Sequence, residues 1–275
     1  SRYARGRLRE GLRNEDIIRR CAEIAARDTK PFRPLKAPNY TRKDGKVTET
    51  FCVVNSDGHH DQVIRPEEVN GLETYNFPVS LRRAEVFVDG IIRYAKKTLS
   101  GYQFPRLVGF DLGDSTSGEI HDAERRSAFG NQFKNCLAIG ALKAAMYRDL
   151  AAHFGEVDII CTSGNHGRRT NRKEYAGGAH NNWDYMVNKV AQQHLSDQKN
   201  VRFSIPNSWD TLVDIEGYVF HASHGDDVAS SGGNPWNGLA ALHKSNSGIH
   251  RGTGKNKPFY DARAVDYYVI GHHHT

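Results

Sequence analysis

The feature that most restricts the fold of this chain is the way its apolar runs end. The run "TFCVVNSD" (50–57) leads into Asp57 and His59, "PRLVGFDLGD" (105–114) into Asp114, and "VDIICTSGNH" (157–166) into Asn165 and His166. Further on, "YVFHASHG" (218–225) leads into His224 and "VDYYVIGHHH" (265–274) into His272 and His274. Each run reads as a strand, and each stops in a stretch poor in packing residues and rich in metal and proton chemistry. Helical patterns fall between the runs at 80–99, 121–154 and 182–195, while "VRFSIP", "DTLVDIEG" and "YVFHASHG" (201–225) read as consecutive strands. Alternating strands and helices predict α/β layers, with antiparallel pairing near 201–225 beside a mostly parallel region. In open α/β sheets a site forms outside the carboxyl ends of the strands, so these side chains are expected to converge.

Spacing strengthens that expectation. Asp57 and His59 are two residues apart, as are His272 and His274. In extended chain such positions point the same way, so each pair can grip one ion. Gly58, Gly113, Gly164, Gly225 and Gly271 flank these residues and let the backbone turn where side chains crowd.

These blocks resemble, in order, those of the calcineurin-like metallophosphoesterase superfamily: "DGH" (57–59), "GD" (113–114), "GNH" (164–166), "HG" (224–225) and "GHHH" (271–274). The resemblance implies a four-layer α/β/β/α sandwich and a site for two divalent ions. Asp57, His59 and His274 would hold the first ion, Asn165, His224 and His272 the second, and Asp114 would bridge them. Mixed oxygen and imidazole ligands suit Mn²⁺, with Fe or Zn²⁺ as alternatives, better than Mg²⁺ or Ca²⁺. The family role for His166 is catalytic rather than ligating: it faces the substrate and protonates the leaving oxygen or stabilises charge. Two positions depart from the pattern. Gly167 stands where many members carry Asp or Glu, and Ser117 where many phosphatases carry a second Asp. The partner of His166 is therefore not identified by the motifs. His60 and His273 should point away from the site, His221 is a minor alternative to His224, and His121 is a candidate for a supporting role.

The loop after His166 carries Arg168, Arg169, Arg172 and Lys173, then Tyr175 and Trp183; 243–258, read as a second loop, adds Lys244, Arg251, Lys255 and Lys257. Cations interleaved with aromatics suit phosphate neutralisation and base stacking. The 275-residue chain has a net charge of +6, and seven arginines fall in its first twenty residues. A polyanionic partner follows, DNA or RNA, and with it a nuclease-like phosphodiesterase. A phosphomonoesterase or phosphoprotein phosphatase, and a non-catalytic adaptor or polymerase-accessory subunit on the same fold, are the alternatives.

Residues 14–28 read as a helix and Pro31, Pro34 and Pro38 as part of a linker. The expected division is thus a basic helical arm and linker over 1–48 and a metallophosphoesterase domain over 49–275. The mean hydropathy of −0.66 and the lack of any run near the about 18 apolar residues of a membrane helix exclude a membrane-spanning helix. No signal-peptide pattern is visible. Cys21, Cys52, Cys136 and Cys161 lack metal-type spacing and read as free thiols of a cytoplasmic protein. Family members usually continue past the last block, so either truncation or a different closure of the second sheet is expected.

Overall fold

The computed structural model describes residues 21–25, 27–41, 45–120, 130–170, 172–174, 178–231, 234–250 and 265–274. The arginines before residue 21, His121, Tyr175, Arg251, Lys255 and Lys257 lie outside them. The fold is α/β. Four parallel strands, β1 (Val47–Asn55), β2 (Tyr102–Asp111), β3 (Glu156–Cys161) and β4 (Val201–Ser204), form one sheet in that order. β5 (Asp210–Ile215), β6 (Tyr218–Ser223) and β7 (Tyr267–Ile270) form a second sheet, antiparallel between β5 and β6 and parallel between β6 and β7. Residues 21–25 and 27–28, the described part of the expected 14–28 helix, are helical; the later α-helices are α1 (Phe77–Arg93), prolonged by a π-helical turn at Tyr94–Thr98, then α2 (Gln132–Ala151), α3 (Trp183–His194) and α4 (Trp236–His250).

Local chemistry accounts for these elements. Asn76, Asn131 and Asn182 precede α1, α2 and α3, and each side chain accepts from a backbone N–H of the first turn, which satisfies donors the helix leaves open. The last five residues of β2 and of β3 are buried throughout, as continuous apolar runs in a covered parallel sheet should be. Alternate residues of these strands face opposite ways. Leu107, Val157, Ile159 and Cys161 join Val88, Ile91, Leu150 and Phe154 in the helix-side core. Val108, Phe110, Leu112 and Ile160 instead join Ile215 and Ala222 of the second sheet. β7 contributes Val269 to that inner cluster, while its neighbour Tyr268 meets His243 of α4 with 3.3 Å between the hydroxyl and Nδ1.

Three expectations are refined. Of the strands near 201–225, β4 joins the parallel sheet beside β3, following α3 in a strand–helix–strand crossover; only β5 and β6 form a hairpin. Its two-residue turn, Glu216–Gly217, has φ of 53° and 89°, the left-handed geometry that matches strand twist. Residues 243–250 belong to α4 rather than to a loop. The helix begins after Pro235, where Asn234 accepts from the Trp236 N–H at 2.9 Å, and its Gly, Asn and Ser content hides it in the sequence. Finally, residues 29–41 lie against the body. Phe32 stacks on His194 with 4.3 Å between ring centroids, Gln198 holds both the N–H and the carbonyl of Leu35, and Tyr40 donates to the His153 carbonyl. Upstream, Ala22 is buried among Cys136, Ile139 and Met186. No helix among the described residues is long and apolar enough to cross a membrane.

Candidate metal centre

Backbone bonding continues past the strand ends and brings the loops together. The N–H groups of Asp57, His59 and His60 donate to the carbonyls of Gly113, Asp114 and Ser115, and Gly271 N–H donates to the His224 carbonyl. The loops of β2 and β3 touch main chain to main chain: a Cβ at Gly113 would lie 2.2 Å from Gly164 N, and one at Gly164 would lie 2.1 Å from Asp114 Oδ1. Glycine is required at both because there is no space for a side chain.

The convergence expected from the strand ends occurs. Ligand atoms of Asp57, His59 and His274 lie within 4.8 Å of one another, as do those of Asp114, His224 and His272. His274 Nε2 is 3.0 Å from Asp57 Oδ1, and His224 Nε2 is 3.0 Å from Asp114 Oδ2. Asn165 Oδ1 lies 2.9 Å from the same His224 nitrogen. A third group, His59, Asp114 and His166, overlaps both, so Asp114 is common to two of the three. The resemblance gives His166 only a substrate-facing role, yet its ring lies 4.7 Å from that of His59, centroid to centroid. Each group could hold a metal ion.

The backbone is bent to achieve this. Seven non-glycine residues among those described have positive φ, and five are Asp57, His59, Asp114, His272 and His274, at 56°, 38°, 50°, 69° and 45°. Such conformations cost about 1–3 kcal/mol each and persist where surrounding contacts enforce them.

The electrostatics of the clustered side chains differ from one to the next. Burial opposes the charge of Asp57, but the Ser56 hydroxyl, the His272 N–H and nearby His224 outweigh it and lower its pKa. Asp114 is likewise lowered against burial, chiefly by His224. Burial lowers His59, and burial with His224 lowers His272, favouring the neutral imidazoles that bind metals. Burial also opposes charge on His224, but its bond to Asp114 and the charges of Asp114 and Asp57 raise it to about 9. Its Nδ1 donates to the Leu112 carbonyl at 2.8 Å, fixing Nε2 toward Asp114.

Nothing in the motifs signals the groups behind the ligands. Asp184, on α3, accepts from the backbone N–H groups of Asp114, Ser115 and Gly164 at 2.9, 3.0 and 2.9 Å. Asp61 accepts from Thr116 Oγ1 and Ser117 N–H, both at 2.7 Å, and from Asn135 at 2.8 Å. Buried Lys143 donates to both oxygens of Asp111 at 2.6 Å and to Ser115 Oγ at 2.5 Å, and Tyr147 donates to Asp111. The loop "GDSTSG" is thus held from beneath at nearly every residue.

The partner of His166 is the main chain: Nδ1 lies 3.2 Å from the Ser117 carbonyl. A carbonyl only accepts, so Nδ1 carries the proton. Gly167 has no space for an acid, since a Cβ there would lie 2.1 Å from Asn182 Oδ1. His60 is buried against Ser80 at 2.6 Å. His221 is turned to Asp210 at 2.9 Å and does not replace His224.

The basic loop divides. Arg168 Nε donates to the Asn165 carbonyl at 3.0 Å and braces that residue. Arg169 is exposed, with its guanidinium 5.8 Å from the Trp183 ring centre, and Arg172 is also exposed. Lys173 is engaged by Asp226 at 2.8 Å and Asp227 at 2.6 Å and lies 4.6 Å from the Trp209 ring centre, so it ties two loops together.

No family model and no curated protein matches this chain. Among solved structures it is similar to a protein of unknown function, AQ665 from Aquifex aeolicus, at 14% identity over 72% of this chain and 74% of that one, with a TM-score of 0.25.

Proposed function

We propose that this chain is a dinuclear metal-dependent phosphoesterase that cleaves phosphodiester bonds in nucleic acid, built on the four-layer sandwich of the calcineurin-like metallophosphoesterases. The observation that carries the reading is Asp114: one buried carboxylate that groups with His59 and His166 on one side and with His224 and His272 on the other. The residues fit the ions in number and in kind, with carboxylate, amide and imidazole donors, and His224 would give up its Nε2 proton to bind. Asp57, His59 and His274 would hold one, Asn165, His224 and His272 the other, and Asp114 both. Two divalent ions at this position would supply Lewis acidity toward a phosphoryl group and lower the pKa of water.

The protein's own part is positioning and proton transfer. His224 is fixed by the Leu112 carbonyl, and Asp57 by the His272 N–H at 2.9 Å. With Nδ1 donating to Ser117, a protonated His166 presents Nε2–H to a leaving oxygen. Arg169 and Arg172 supply exposed positive charge on the adjoining loop for a polyanionic substrate.

The test is hydrolysis of bis-p-nitrophenyl phosphate against p-nitrophenyl phosphate with Mn²⁺, Fe²⁺ or Zn²⁺. Diester turnover that chelator abolishes and metal restores is expected. Preference for the monoester would favour a phosphatase, and no turnover of either by metal-loaded protein would favour an adaptor.

A further inference from the structure

We propose that Asp184 is a positioning residue that sets the place of Asp114 between the two ligand groups, an inference that rests on the two-metal reading. Asp184 lies in the first turn of α3, where a carboxylate ordinarily faces its own helix terminus. Here that end is capped by Asn182, whose side chain accepts from Asp184 N–H at 2.8 Å. The Asp184 carboxylate turns outward and is fully buried.

What it holds are two loops from different strands. Oδ2 receives the N–H of Asp114 and of Gly164, while Oδ1 receives the N–H of Ser115. Asn182 Nδ2 donates to the Gly164 carbonyl at 2.8 Å, so Gly164, next to Asn165, is gripped on both sides. One carboxylate therefore fixes the backbone from which Asp114 projects and the backbone that leads to Asn165 and His166. Lys143, the buried ammonium behind the loop, bonds Asp111 and Ser115 and favours the Asp184 charge through space, while the hydrogen bonds named above come from backbone N–H groups.

Burying a carboxylate on backbone amides is an expensive way to pack a helix against a sheet, and an apolar side chain would serve packing better. What the carboxylate does that an apolar group cannot is fix relative position. Three acceptances from two loops define how far apart the loops lie and how they are rotated. Asp114 also accepts the His166 N–H at 2.8 Å, so a shift of the β2 loop would carry through to His166.

The experiment compares the parent with Asp184→Asn, which keeps the shape but turns one acceptor into a donor facing backbone N–H. Mn²⁺ binding is followed by titration and by electron paramagnetic resonance, where two ions sharing a ligand give an exchange-coupled signal and isolated ions do not. The expected result is loss of the coupled signal and a 10–100-fold weaker binding of at least one Mn²⁺, the usual consequence of removing a group behind a ligand, with an unchanged circular dichroism spectrum. Coupling and affinity equal to the parent would overturn the role of Asp184 while leaving the two-metal reading intact. A parent that binds no coupled pair would overturn the two-metal reading itself. Should Asp184→Asn not fold, Asp184→Glu keeps the charge and both acceptor oxygens but moves them by one methylene. A several-fold loss of Mn²⁺ affinity in that variant supports the positioning role, and parental affinity and coupling overturn it.

Discussion

Asp114 and His166 sit side by side, yet their removal should have opposite signatures. Asp114 groups with His59 on one side and with His224 and His272 on the other, so on the two-metal proposal Asp114→Asn should weaken both ions, measured by metal analysis after dialysis. His166→Ala should retain both and lose about 10²–10⁴ in turnover of a diester with a poor leaving group, the span of a lost general acid. The loss should shrink with p-nitrophenolate, which needs little protonation. If His166→Ala instead loses an ion, His166 is a ligand, as its place beside His59 and Asp114 permits. Residue identities at the strand ends were legible because each ligand follows an apolar run directly. Asp184 was not, since an acid in the first turn of a helix has a sufficient local explanation. Asp61 and Lys143 were hidden for related reasons, one in a loop and one in an Ala- and Leu-rich helix.

At the scale of elements, the parallel sheet carries its own ionic tie away from the ligands. Asp158 on β3 accepts from Arg106 Nε on β2 at 2.8 Å and from Arg202 Nε on β4 at 2.6 Å. Burial resists its charge, but the bonds to Arg202 and Arg106 prevail and lower its pKa. A carboxyl whose folded pKa is depressed contributes stability above its unfolded value, near 3.9, and loses it as pH falls through the folded value. Asp158→Asn should therefore lower Tm by a constant amount above about pH 5, and the gap to the parent should close as the pH falls below about 4. A gap that stays constant across the acid range would mean that the ionic tie contributes nothing. The alternation of strands and helices was readable from periodicity. The placement of β4 was not, because a four-residue strand with half-exposed sides looks the same in either sheet; what assigns it is α3, which carries the chain back to the edge beside β3.

The chain as a whole carries a net charge of +6, and the packing of its early residues decides how the proposed polyanionic partner is to be tested. Residues 29–41 lie on the body, so a truncation that probes the basic arm should stop at residue 20. Deleting 1–20 should weaken binding of DNA or RNA oligonucleotides, followed by fluorescence anisotropy. It should also flatten the dependence of log K on log salt by about 0.7–0.9 for each phosphate no longer neutralised. Arg169→Ala with Arg172→Ala should slow oligonucleotide cleavage more than cleavage of a small diester. Arg168 and Lys173 are poor choices for that test, because one braces Asn165 and the other ties two loops. Unchanged binding across the salt series in both variants would turn the choice toward a small phosphorylated substrate.

The bond between Asp57 and His274 spans 217 positions of the chain. During synthesis at about 5–20 residues per second, roughly 10–40 s separate the appearance of these two partners. Through that interval a growing chain already carries Asp57, His59 and, later, Asp114 and His166, but it has neither β7 nor the histidines beyond it. The full cluster is therefore incomplete on the growing chain until β7 has emerged and paired.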